Sequence, residues 1–332
     1  MTLLSVLDLS PIRQGETPAA AIRETVELAV AADRLGYNRF WVAEHHSSRS
    51  FAGASPEILI AAMSQRTSRI RLGSGGVMLV NYSPLKVAEQ FMQLEALAPG
   101  RIDLGVGRAL GADLRTGGAL RSAGPEAFPQ YFALLNAWLL DAAGKEAFPF
   151  GHPAHGVRAQ PQGPSHPDLF VLCSSVDSAR FAGAVGVGMV FAEFIARREA
   201  TEAIAAYRAA FQPSIFRQTP WAGAGVAALA AETAEQAARL EVPRRAWGLA
   251  FAEGRAGVLP SLEKAQAELQ VRGAEAASPE ERLFSFTGDG PGVRAALDAK
   301  ASSIGADELF LITFAPTLAD RVRSLELIAG AG

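Results

Sequence analysis

The chain holds one cysteine, Cys173, in 332 residues. That excludes an internal disulfide and a thiolate metal cluster, and it fits a reducing, cytoplasmic setting. The opening MTLLSVLDLS has neither a basic leader nor a long apolar core. No stretch reaches the roughly 20 apolar residues of a membrane-spanning helix. There is no basic block either. The 31 Lys and Arg are interspersed with 34 Asp and Glu for a net charge of −3, so no surface is expected to neutralise the phosphates of a nucleic acid. No glycine fingerprint follows the first apolar run; DLSPIRQGETP stands there instead, which argues against an open dinucleotide-binding sheet. No helical segment carries the H-E-x-x-H spacing of a zinc site.

What is present is a rhythm. Apolar residues make up 49% of the chain, and they fall into short runs that alternate with longer segments of helical spacing. Strands are expected from Leu3 to Leu7 and in YNRFWVAE, RIRLGSGG, RIDLGVG, DLFVLCS, GMVFAEF, AGAGVAALAA and DELFLITF, each followed by a helix. Eight strand–helix units in one domain spanning residues 1–332 predict an α/β fold, a closed (β/α)8 TIM barrel with insertions on its C-terminal face. Two segments break the rhythm. The Pro-, Gly- and His-rich stretch 144–167 reads as a long loop, and an extra helix, LPSLEKAQAELQVRG, precedes the last strand. Both are candidate lids over an active site.

In such a barrel the chemistry sits where strands end. The second strand ends in Glu44, His45 and His46. Neighbouring side chains on an extended segment face opposite ways, so the two histidines are poorly placed to ligate one ion, and no metal site is expected. His45 or His46 remains either a structural histidine or a general acid/base. Gly75 and Gly76 end the third strand. Glycine there admits a flat ligand close to the backbone or marks a β-bulge. Arg108, just past the fourth strand, suits a phosphate or an ion pair with Asp113. Ser174, Ser175 and Ser178 open the helix after the fifth strand, where they would bind an anion or simply cap the helix. Cys173 reads as a small buried hydrophobe.

Several motifs together resemble the luciferase-like flavin monooxygenases, closest to the group 1 luciferase-family oxidoreductases. They are LSVLDLSP at 4–11, WVAEHH at 41–46, IRLGSGGVML at 70–79, PLKVAEQ at 84–90, PGRIDLGVG at 99–107 and ADEL at 306–309. The resemblance implies reduced FMN, delivered by a separate flavin reductase, and O2 oxidising a small organic substrate by way of a flavin peroxide. It implies a catalytic role for His45, support of the flavin ring by Gly75–Gly76 through a cis peptide, and phosphate contacts from Arg108, Ser174, Ser175 and Ser178. It also implies a homodimer. Three positions depart from the family pattern: Gly107 where luciferase has a reactive cysteine, Leu110 where relatives have Pro, and Glu193 where many have a Ser-His pair. Two alternatives stay open, an F420-dependent hydride-transfer enzyme and a non-catalytic flavin-binding protein.

Overall fold

The structure, a computed structural model, describes residues 1–145, 148–196, 200–273 and 285–330. Among them, β1 (Leu3–Asp8), β2 (Arg39–Val42), β3 (Arg71–Met78), β4 (Ile102–Gly107), β5 (Asp168–Cys173), β6 (Gly188–Ala192) and β7 (Ala222–Ala231) pair in parallel in chain order. The barrel's eighth strand is not the next in the chain. Strand β8 (Ser285–Asp289) lies alongside the C-terminal half of β7, while β9 (Glu308–Ile312) joins the first half of β7 to β1 and closes the ring. The expected eight-stranded parallel barrel is therefore present, with β8 as an unanticipated ninth strand.

Alternation along the strands sorts the core into two layers. Outward residues such as Val6, Phe40, Leu72, Leu104 and Leu309 pack with the surrounding helices. Inward residues, among them Leu7, Trp41, Phe170, Val190 and Phe310, fill the barrel. The surrounding ring consists of α1 (Pro18–Leu35), α2 (Pro56–Ser64), α3 (Pro84–Leu97), α5 (Phe128–Ala142), α6 (Val176–Ala184), α8 (Thr201–Ala210), α11 (Gly290–Ile304) and α12 (Leu318–Ala329). Local chemistry sets their ends. For α1, Thr17 accepts from the Ala20 amide, Pro18 occupies the first turn, and Gly36 closes the helix at φ 80°.

The N-terminal end of the barrel is plugged by charge. Arg39 reaches Asp103 at 2.7 Å and Glu308 at 3.2 Å, and Arg71 meets Asp103 at 2.6 Å. Trp41 seals this layer from above, donating from Nε1 to Asp103 at 2.9 Å and packing on Phe310 and Phe170. Gly73 makes room for it: a β-carbon there would lie 2.5 Å from Trp41 Nε1.

Insertions occupy the opposite, C-terminal mouth. One follows β4 and carries the short α4 (Leu114–Ala119); α7 (Glu193–Ala196) follows β6; α9 (Ala234–Ala252) and α10 (Leu262–Val271) follow β7. Helix α9 runs through Pro243 instead of ending before it. The described part of the 144–167 stretch, residues 144–145 and 148–167, is not a lid. Helix α5 runs antiparallel to the strands, so its last turn and the start of β5 lie at the plugged end. There Asp141 holds the stretch through Arg158 at 2.7 Å and the Ala159 amide at 2.9 Å. The expected start of the helix after β6, at 198–199, falls outside the described residues.

Candidate functional site

A cavity of about 390 Å³ opens at the C-terminal ends of the strands, within the roughly 300–1,000 Å³ usual for ligand and cofactor sites. His45, Gly75, Arg108, Ser174 and Ser178 all line it. They come from four successive strand ends, β2 to β5. Gly76 and Ser175 do not line it.

The strand-end histidines part company just past β2. His46 turns away from the cavity: its Nε2 lies 2.7 Å from Glu44 Oε1 and 3.3 Å from the Tyr82 hydroxyl. Glu44 also accepts from the Tyr82 hydroxyl at 3.0 Å and the Met78 amide at 3.1 Å. Burial raises its carboxyl above the ordinary range, against those hydrogen bonds. His45 faces the cavity with its ring tilted 4.6 Å from Phe51. Its Nδ1 is buried with no hydrogen-bond partner. Burial, with the charge of His46 adding to it, pushes the imidazole down to about 4, so it is neutral at pH 7 and able to take or give one proton-bearing hydrogen bond.

The Gly75–Gly76 peptide is cis. A β-carbon on Gly75 would lie 2.6 Å from Leu7, and one on Gly107 2.8 Å from Met78. The bare backbone therefore forms a cradle that side chains would fill. At the Gly107 position, where luciferase has a cysteine, glycine leaves room for the Met78 side chain in the cavity wall.

Arg108 is exposed at the mouth and has no ion-pair or hydrogen-bond partner among the described residues. Its sequence rival for a partner, Asp113, instead caps α4 through the Thr116 amide at 2.7 Å. Ser175 and Ser178 form a reciprocal capping box at the start of α6, so the Ser175 hydroxyl is spent on the helix. Ser178 and Ser174 still line the cavity beside the helix's first amides, a position suited to an anion. Cys173 is fully buried and its thiol is pushed up to about 12 by burial, which leaves it a poor nucleophile.

The other three histidines lie elsewhere: His152 stacks near Phe148, His155 near Phe150 and His166 near Phe216. Among the described residues no group of three His, Cys, Asp or Glu could hold a metal ion. No described helix is long and apolar enough to cross a membrane.

The sequence reading missed the apolar lining. Leu7, Val190, Ala192 and Phe310 are inward strand positions, a signal present in the alternation, and Leu9 follows just past β1. Phe194 and Ile195 on α7 and Pro125 after α4 carried no such signal.

Comparison with known proteins bears on this site. The sequence model for the luciferase-like monooxygenases matches residues 3–308. The N-acetyl-S-alkylcysteine monooxygenase of Bacillus subtilis is 40% identical over 275 residues, covering 81% of this chain and 80% of its own. The crystal structure of apo-MsnO8 superposes with a TM-score of 0.89 at 37% identity, over 100% of this chain and 98% of that one. More distant structures share the fold alone. One is a Baeyer-Villiger monooxygenase component in complex with FMN, at TM-score 0.68 and 18% identity. Another is an F420-dependent secondary alcohol dehydrogenase, at 0.69 and 14%.

Proposed function

The chain belongs to the luciferase-like monooxygenase family, and from that premise we propose that it is an FMN-dependent monooxygenase acting on a small organic substrate with O2. One observation carries the reading: a neutral buried histidine, a glycine cradle, an arginine with no partner among the described residues and a helix N-terminus from four successive strand ends meet in one cofactor-sized cavity.

The residues present fit the cofactor. Gly75, at its cis peptide to Gly76, offers a bare backbone face to an isoalloxazine ring. Arg108, the Ser174 hydroxyl and the first amides of α6 offer donors to the phosphate, with Ser178, whose hydroxyl donates to the Ser175 carbonyl, beside them. When bound, reduced FMN supplies two electrons to O2, so that one oxygen atom enters the substrate and the other leaves as water. His45 faces the reacting region as a neutral imidazole with a free Nδ1, placed to hold or move a proton. The apolar wall and the insertions at the mouth exclude water from the reaction.

The reading assigns a separate flavin reductase as partner and a homodimer as the working unit. Ile58 on α2 and Leu97 on α3 are exposed apolar side chains on neighbouring helices near the first strands, in keeping with a subunit contact there. Relatives of this fold use FMN or F420, so the test is a titration of the protein with reduced and oxidised FMN and, in parallel, F420. FMN binds, and Arg108→Ala weakens it by about tenfold or more, the loss of one hydrogen-bonded charge contact of about 1.5 kcal/mol. Binding of F420 with no binding of FMN contradicts the reading in favour of hydride transfer.

A further inference from the structure

The polar half of the cavity, from β2 to β5, also holds sulfur. Met78 ends β3 and Cys173 ends β5, and both residues line the cavity. The chain's other methionines lie elsewhere. Met63, Met92 and Met189 are buried in the outer layer between strands and helices, and Met1 is fully exposed at the N-terminus.

Met78 is held in place. Its amide donates to Glu44 Oε2 at 3.1 Å. Its side chain lies against two glycines whose missing β-carbons make room for it. A β-carbon on Gly107 would meet the Met78 methyl at 2.8 Å and its sulfur at 3.3 Å, and one on Gly111 would meet its γ-carbon at 2.8 Å. Backbone walls the thioether, and the side that stays open is the cavity's. A thioether also needs no ionisation to react. Its sulfur lone pair attacks a hydroperoxide directly, whereas a thiol must first become a thiolate. The Cys173 thiol, pushed up to about 12 by burial, stays protonated and donates to the Val171 carbonyl at 3.6 Å.

We infer that Met78 is a modification site, an internal thioether that takes the oxygen atom when the cavity reduces O2 with no substrate in place. The oxidant is a hydroperoxide, ROOH, formed in the cavity from O2 and two electrons. The sulfur lone pair forms an S–O bond to its outer oxygen and the O–O bond breaks. The proton on that outer oxygen passes to the departing RO−, giving the sulfoxide and ROH. Sulfur loses two electrons and the peroxide gains them. The electrons that make the peroxide are those the proposed function draws from reduced FMN, so the inference rests on that reading. The new oxygen projects into the cavity, because the glycine backbone leaves it no room on the other side. The site becomes smaller and more polar, which slows turnover until a sulfoxide reductase restores the thioether.

The test is peptide mass mapping after reduced FMN and air are supplied without substrate. Catalase is present to destroy peroxide that escapes into solution. Met78 gains one oxygen atom about tenfold or more over Met1, although Met1 is the more exposed. FMN affinity then falls by about threefold or more in the wild type, but not in Met78→Leu treated alike. Equal oxidation of Met1 and Met78 overturns the inference, as does oxygen gained by Cys173 in place of Met78. Met78 left intact while FMN binds and O2 is consumed overturns it too, and leaves the cofactor reading standing. If FMN fails to bind, the cofactor reading falls, and the same mapping after treatment with tert-butyl hydroperoxide decides the site. Met78 oxidised ahead of Met63, Met92 and Met189 then upholds the cavity thioether as the modified group; no preference among the four overturns it.

Discussion

At the scale of single residues, the site depends on groups kept in unusual states by burial. His45 has an ordinary value of 6.5 in the unfolded chain and about 4 in the fold. Between those values the unfolded chain binds the proton and the folded one does not. The contribution of a neutral His45 to stability is therefore complete above pH 6.5 and is lost as the pH falls toward 4. The difference corresponds to at most about 3 kcal/mol. Urea unfolding of wild type and His45→Asn between pH 7 and pH 4 checks this: the wild type loses more stability on acidification than the variant does. Parallel losses in the two proteins would show that His45 is not held neutral by the fold. In the same pH range near neutrality His45 is already deprotonated, so an activity limb near pH 6.5 would have to belong to another group.

At the scale of elements, the segment after α9 is a fixed wall. Leu259 donates its amide to the Ile12 carbonyl and accepts from the Gln14 amide, each at 2.8 Å. Trp247 Nε1 reaches Ser50 Oγ and the Gly257 carbonyl at 3.1 Å, and the Trp247 ring lies near Phe51 and Phe314. These bonds sew the insertion to the loops after β1 and β2, beside His45. Hydrogen exchange is predicted to find the Leu259 and Gln14 amides protected to the level of the barrel strands; exchange at open-loop rates would mean that the segment swings as a gate.

The sequence foretold part of this. Strands and ring helices were legible because their apolar periods are strong, and the strand ends named the polar half of the site. The β8 strand was not, because SFTGD is short, half-polar and paired on one side. The placement of 144–167 was also missed, because composition marks a loop without saying which end of a barrel it occupies. Ser175 shows the same limit at a residue: a serine at a helix start reads equally as cap or ligand until geometry shows its hydroxyl committed to Ser178.

At the scale of the whole molecule, one end carries stability and the other chemistry. Asp103 ties β2, β3 and β4 together through Arg39, Trp41 and Arg71, and Arg39 carries the tie on to β9 through Glu308. Removing one member leaves a buried charge without its partner, so Asp103→Ala is expected to cost about 3–5 kcal/mol in denaturant unfolding. A loss under about 1 kcal/mol would mean that the plug is not what fixes the barrel.

The opposite end is where the functional account stands or falls, and a crystal structure of the protein with bound FMN tests it most directly. The account places the phosphate within hydrogen-bond reach of Arg108 and the start of α6, and the isoalloxazine ring against Gly75–Gly76 with His45 facing it. A phosphate held away from Arg108 and Ser178, or a flavin bound outside the β2–β5 half of the cavity, would contradict it.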